Sequence, residues 1–167
     1  MKKLILSVLL IPAVFSAQQT VSRDAEIANY VSQVSADSLK SHINKLVSFG
    51  TRHTMSSTTD AKKGIGAARN WVLSKFKNYA KNTDGRMEVF LQSQTIQPDG
   101  KRINQPTDLG NAIAILRGTD PNDKRIFMIG GHLDSRVSDV MNAKDFAPGA
   151  NDDGSGVGAV IESARVL

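Results

Sequence analysis

Two short apolar runs, each stopped by glycine, constrain this chain more than any other feature. Residues 111–116 (Asn-Ala-Ile-Ala-Ile-Leu) run on to Gly118, and residues 125–129 (Arg-Ile-Phe-Met-Ile) run into Gly130 and Gly131. Near-continuous apolar runs of this kind read as strands covered on both faces, which requires helices packed over a sheet. The polar stretch 119–124, with Asp120, Pro121 and Asn122, is a turn short enough to join antiparallel neighbours. Residues 156–167 then place Val157, Val160, Ile161, Ala164 and Leu167 on one helical face. The pattern reaches Leu167 without a stop signal, so the sequence reads as a truncated domain. The fold class expected is α/β, a mixed and partly antiparallel sheet sandwiched by helices, incomplete in this chain.

The front of the chain has the helical period. Residues 22–34 read as one helix, and a second starts near Asp37, carries Leu39, Ile43, Leu46 and Val47, and stops at Gly50. After a polar loop at 51–58, residues 60–79 set Ile65, Ala68, Val72 and Phe76 on one stripe beside Trp71, the packing face of a core helix. From Arg86 the period becomes two: Met87, Val89 and Leu91 alternate with Glu88, Phe90 and Gln92 before a turn at Pro98, Asp99 and Gly100.

Lys2 and Lys3 precede an apolar stretch at 4–15, followed by the small residues Ser16 and Ala17, the layout of a secretory signal peptide. Ser7 and Pro12 interrupt the stretch, which falls well short of the ~20 apolar residues of a spanning helix. Residues 1–17 are therefore expected to be removed, with cleavage after Ser16 or Ala17. That leaves 18–167 as a secreted or periplasmic domain without stable membrane association. The formal charge of +5 falls to +3 once Lys2 and Lys3 leave, too small a surplus to argue for nucleic acid as a partner. There is no cysteine, so disulfides and thiolate metal sites are excluded, and any metal must be held by His, Asp or Glu.

Such residues gather in two loops. Gly130-Gly131-His132-Leu133-Asp134-Ser135 follows the second apolar run, and Pro148-Gly149-Ala150-Asn151-Asp152-Asp153-Gly154-Ser155-Gly156 precedes the last helix. Open α/β sheets place their sites at such element ends. His132 and Asp134 are two apart, so in extended backbone the carboxylate can hold one imidazole nitrogen while the other binds a metal. A solvated histidine with a capping aspartate fits the same pattern. Asp152 and Asp153 admit three readings: Asp153 or Ser155 capping the helix, an anion cradle, which two carboxylates would oppose, or a carboxylate bridging two cations.

Together these segments, with Phe49-Gly50-Thr51-Arg52-His53 and the Asn111-Ala112-Ile113-Ala114 strand, resemble the zinc aminopeptidase family of bacterial leucyl aminopeptidase. The resemblance implies a zinc exopeptidase-like fold and a centre of two Zn2+ acting on peptide or protein substrates. It implies that His132 ligates one zinc and that Asp134 is the catalytic-site acid orienting it. Asp152 becomes the carboxylate that bridges both zincs, with Asp153 following across a cis peptide bond. Asn151 stands where many relatives carry an acid. The family's glutamate pair and its later Asp and His ligands would fall beyond Leu167, so this chain alone is expected to bind zinc weakly, hydrolyse nothing and fold sluggishly. Glu162 is read as part of an exposed helix face and cannot replace the missing base. Arg52 and His53 are read as structural, and His42 stays unassigned. The rival reading is a non-catalytic exported domain, peptide-binding or structural, derived from the same fold.

Overall fold

The computed structural model describes residues 23–167. The expected signal segment lies outside the described residues. The described residues form four helices and one hairpin: α1 (Ala25–Ser32), α2 (Ala36–Ser48), α3 (Gly64–Ala80), β1 (Met87–Ile96), β2 (Thr107–Leu116) and α4 (Ser155–Val166), with an irregular turn, Ala150–Gly154, leading into α4. Among the described residues no helix is long and apolar enough to cross a membrane.

The helices begin where side chains can satisfy the free N–H groups of a first turn. Asp24 accepts from the amides of Glu26 and Ile27 ahead of α1, and Ser35 accepts from that of Ser38 in α2. Helix α2 ends at the Phe49 cap, and Gly50 follows at φ +80°, the left-handed residue expected from sequence at that position. The expected stripe on α3 is realised: Ile65, Ala68, Val72 and Phe76 are buried. Together with Leu46 of α2, the Phe49 cap that follows it, and Val157 and Ile161 of α4, the α3 residues Ala67, Ala68, Val72 and Phe76 form the core. The result is three helices around one apolar centre, at roughly 1.5–3 kcal/mol for each large side chain taken from water.

β1 and β2 pair antiparallel, with Met87 opposite Leu116 and Ile96 opposite Thr107. One face of this hairpin rests on the core through Met87, Val89, Ala112 and Ala114, while Phe90, Leu91 and Ile115 stay substantially exposed. The run at 111–116 is thus the end of a longer strand that is only partly covered, not an interior strand.

Residues 125–129 depart further from expectation. They form no strand, and Ile126, Phe127 and Met128 are 87%, 86% and 91% exposed. Apolar pattern selects residues suited to a covered strand, but a strand exists only when a neighbour completes its ladder of hydrogen bonds. Among the described residues, none pairs with this segment.

Glu162 also corrects the sequence reading. It is 1% exposed, and its carboxylate accepts from the Ser35 amide (2.8 Å), the Ser38 hydroxyl (2.7 Å) and the Arg165 guanidinium (2.7 and 2.9 Å). The buried acid therefore ties α4 to the start of α2. His42 is buried as well, edge-on to Trp71 with ring centroids 5.9 Å apart, and burial lowers its pKa.

Candidate functional site

Two glycine-rich loops meet above the packed ends of α2 and α4, and the buried arginine Arg52 holds them together. Its guanidinium is 1% exposed and donates to four backbone carbonyls: Nε to Leu133 (2.7 Å), Nη1 to Leu46 (3.0 Å) and Pro148 (2.8 Å), and Nη2 to Gly149 (3.0 Å). One rigid fork thus fixes the His132 loop, the Asp152 loop and the end of α2 against one another. Burial lowers the pKa of this group, and the nearby carboxylates of Asp134 and Asp153 oppose that shift. The backbone adds to the join. The Arg52 amide donates to Ser135 Oγ (3.1 Å), the Ser135 amide to Arg52 O (3.3 Å), and the Ser135 hydroxyl to Ala147 O (2.7 Å). His53 is buried beside it, with Nε2 against Val140 O (3.0 Å) and Nδ1 accepting from the Met55 amide (3.1 Å). Both residues anchor loops.

In the second loop the Asp152–Asp153 peptide bond is cis, as the family resemblance implied. Gly149, at φ +47°, lies so close that an added Cβ would sit 2.5 Å from Ser135 Cβ and 2.6 Å from Asp152 O. Only glycine fits there. Asp153 turns inward: Oδ1 accepts from the Gly156 amide (3.0 Å) in the first turn of α4, and Oδ2 from the His132 amide (3.1 Å). Of the capping candidates, Asp153 is the acceptor, while Ser155 donates its hydroxyl to Asn151 O (3.0 Å).

Asp152 turns outward. Its Oδ1 lies 3.0 Å from His132 Nε2, and the side chain is 90% exposed. On the other side of the ring, His132 Nδ1 lies 3.3 Å from both the carboxylate and the carbonyl of Asp134. The imidazole is therefore held between two acids contributed by different loops. Burial would lower its pKa, but Asp134, with Asp153 and Asp152, outweighs that and leaves it raised. These residues border an open depression of about 300 Å³.

The donor chemistry suits a hard or borderline cation such as zinc, which takes imidazole nitrogen and carboxylate oxygen. His132 Nε2 and Asp152 Oδ1 are the atoms that would hold it, with Asp134 fixing the ring from behind. Among the described residues, no group of three or more His, Asp or Glu side chains is arranged to hold a metal. The two donors fit as part of a coordination set.

Residues 111–167, which contain both loops, match the sequence profile described as peptidase family M28. Over a longer stretch the chain is 44% identical across 144 residues to a protein of Leptosphaeria maculans named probable zinc metalloprotease, covering 86% of this chain and 33% of that one. A probable zinc metalloprotease of Pyricularia oryzae is 43% identical over 144 residues, covering 86% and 28%. Leucine aminopeptidase 1 of Grosmannia clavigera is 31% identical over 147 residues, covering 88% and 32%. The chain spans about a third of the length of these curated relatives. The match of residues 111–167 to the M28 profile accords with the resemblance read from the two loops and the Phe49–His53 segment. The structural reading of Arg52 holds, but its partners, the carbonyls of both loops, were not legible in the sequence. Its signal was weak, since an arginine in a polar loop ordinarily reads as a solvated charge.

Proposed function

We propose that this chain supplies part of the catalytic domain of an exported two-zinc exopeptidase that removes amino-terminal residues from peptides. The observation that carries the reading is the placement of His132 Nε2 3.0 Å from Asp152 Oδ1, with Asp134 on the opposite ring nitrogen. The names of the relatives support zinc and proteolysis, and the more distant leucine aminopeptidase supports the exopeptidase mode. Lys2, Lys3 and the apolar stretch after them support export. In this reading His132 Nε2 and Asp152 Oδ1 would hold zinc, and the exposed Asp152 carboxylate would be shared with a second ion. Zinc, when bound, supplies a Lewis acid and a water of lowered pKa.

The residues of the chain do the rest. Asp134 keeps the His132 ring oriented and its far nitrogen basic. Arg52 holds the two loops at a fixed separation, and Asp153 is kept out of the ligand set by its bonds to the amides of His132 and Gly156. With only these ligands the isolated chain binds zinc weakly and is inactive toward peptides.

The test is a zinc titration of the chain by competition with a chromophoric chelator. Binding should vanish in His132→Ala and Asp152→Asn and weaken about tenfold or more in Asp134→Asn. Unchanged affinity in the first two variants would overturn the assignment. The exposure of Asp152 and the small donor set favour one second reading, a non-catalytic peptide-binding domain of the same fold. Peptide binding that is indifferent to zinc and to these variants would select it.

A further inference from the structure

The segment that carries His132 presents a third charged group on its outer side. In extended backbone alternate side chains share a face, and exposure along 132–136 follows that rhythm. Ser135 is buried and Leu133 packs on the core, whereas His132, Asp134 and Arg136 look outward. Arg136 lines the same depression as His132, Asp134 and Asp152.

The guanidinium is held by one nitrogen only. Nη1 donates to Val137 O (3.1 Å) and Ser138 O (3.4 Å), carbonyls of the next two residues. Among the described residues Nε and Nη2 have no acceptor, and Arg136 makes no ion pair, although two carboxylates border the same depression. Both of those acids face His132 instead. The Nε–Nη2 edge left over is the edge with which arginine binds a carboxylate through two parallel hydrogen bonds.

We propose that Arg136 is the specificity residue of this site and receives a carboxylate of the bound peptide. The carboxylate is either an acidic side chain near the cleaved bond or the terminal carboxylate of a short peptide, and the same chemistry serves both. The inference rests on the peptidase reading above for the identity of the ligand as a peptide. It makes the site selective for acidic or short substrates over neutral, capped ones.

Binding of labelled peptides to the 167-residue chain tests this, by fluorescence polarisation in excess zinc and again in chelator. Three peptides share one neutral sequence. The first is amidated at its C-terminus, the second is amidated with one Gln replaced by Glu, and the third carries a free C-terminal acid. The chain should prefer the second or the third over the first by about tenfold, and which one it prefers names the source of the carboxylate. Arg136→Gln should abolish the preference, and Arg136→Lys, with charge but no fork, should keep part of it. Zinc affinity should be unchanged in both, since Arg136 is not a ligand. A preference that survives in Arg136→Gln, equal affinity for all three peptides, or no binding of any would overturn the proposal. Loss of zinc binding with the preference intact counts against the zinc reading alone. Zinc binding without a preference counts against Arg136 alone.

Discussion

Replacing Arg52 by methionine should cost more than any other single change outside the apolar core. Methionine fills much of the space, so the loss is chiefly that of four hydrogen bonds from a charged donor to the carbonyls of Leu133, Leu46, Pro148 and Gly149. Bonds to charged groups are worth roughly 1.5–3 kcal/mol each, and carbonyls left without partners in a buried setting add to the cost. Against this, the variant no longer has to desolvate a guanidinium, a cost of several kcal/mol in the parent. The balance is a destabilisation of about 3–4 kcal/mol. At roughly 2–4 °C per kcal/mol for a domain near this size, Tm should fall by about 10 °C. Arg52→Lys should lie between the two, because one ammonium cannot reach carbonyls on both loops at once. Urea denaturation of the three proteins measures the differences directly, and the retained backbone contact between Arg52 and Ser135 should limit the change to these loops. A methionine variant within 1 kcal/mol of the parent would refute the view that the guanidinium holds the loops together.

Two further outcomes follow from groups already described. Three donors hold the Glu162 carboxyl at about 2, the Arg165 guanidinium foremost, against an ordinary value of 4.5. Its folded value is depressed, so its contribution of roughly 2–3 kcal/mol is complete above pH 4.5 and lost as pH falls toward 2. Urea midpoints recorded from pH 2 to 7 should therefore drop more steeply for the parent than for Glu162→Gln, and parallel curves would contradict the assignment. Gly149→Ala forces a Cβ against Ser135 and Asp152 at a positive φ, so it should destabilise by about 2 kcal/mol or more and weaken zinc binding as well. Thermal melts and chelator competition indistinguishable from the parent would show that the loop yields freely.

Local chemistry made the helices legible in the sequence. Gly50 marks the end of α2, and the 3.6-residue stripe on α3 names its buried face. The spacing of His132 and Asp134 was readable for the same reason, since extended backbone aligns residues two apart. What sequence could not provide was any relation that depends on distant partners. Residues 125–129 have the composition of a covered strand, but pairing lies outside the segment itself. Glu162 carries a charge that reads as solvated until Ser35 and Ser38, more than 120 residues away, are placed against it. Its nearest legible hint was Arg165 at the helical spacing of three. Arg52 is the extreme case, because all of its acceptors are carbonyls, which every residue has and no sequence pattern distinguishes.

The stretch between Ser135 and Ala147 is fastened at its base. The Ser135 hydroxyl meets Ala147 O, and the Ala147 amide meets Gly50 O at 2.8 Å, so both ends are set by contacts that do not involve the ten or so residues between them. Lengthening a loop whose ends are already joined costs little, about 0.6 kcal/mol for each doubling. The ligand-bearing segments on either side are thereby insulated from changes in the excursion. This makes the stretch a natural place for lineages to vary the size and chemistry of the rim around the fixed pair His132 and Asp152, and for an engineer to graft new recognition beside it.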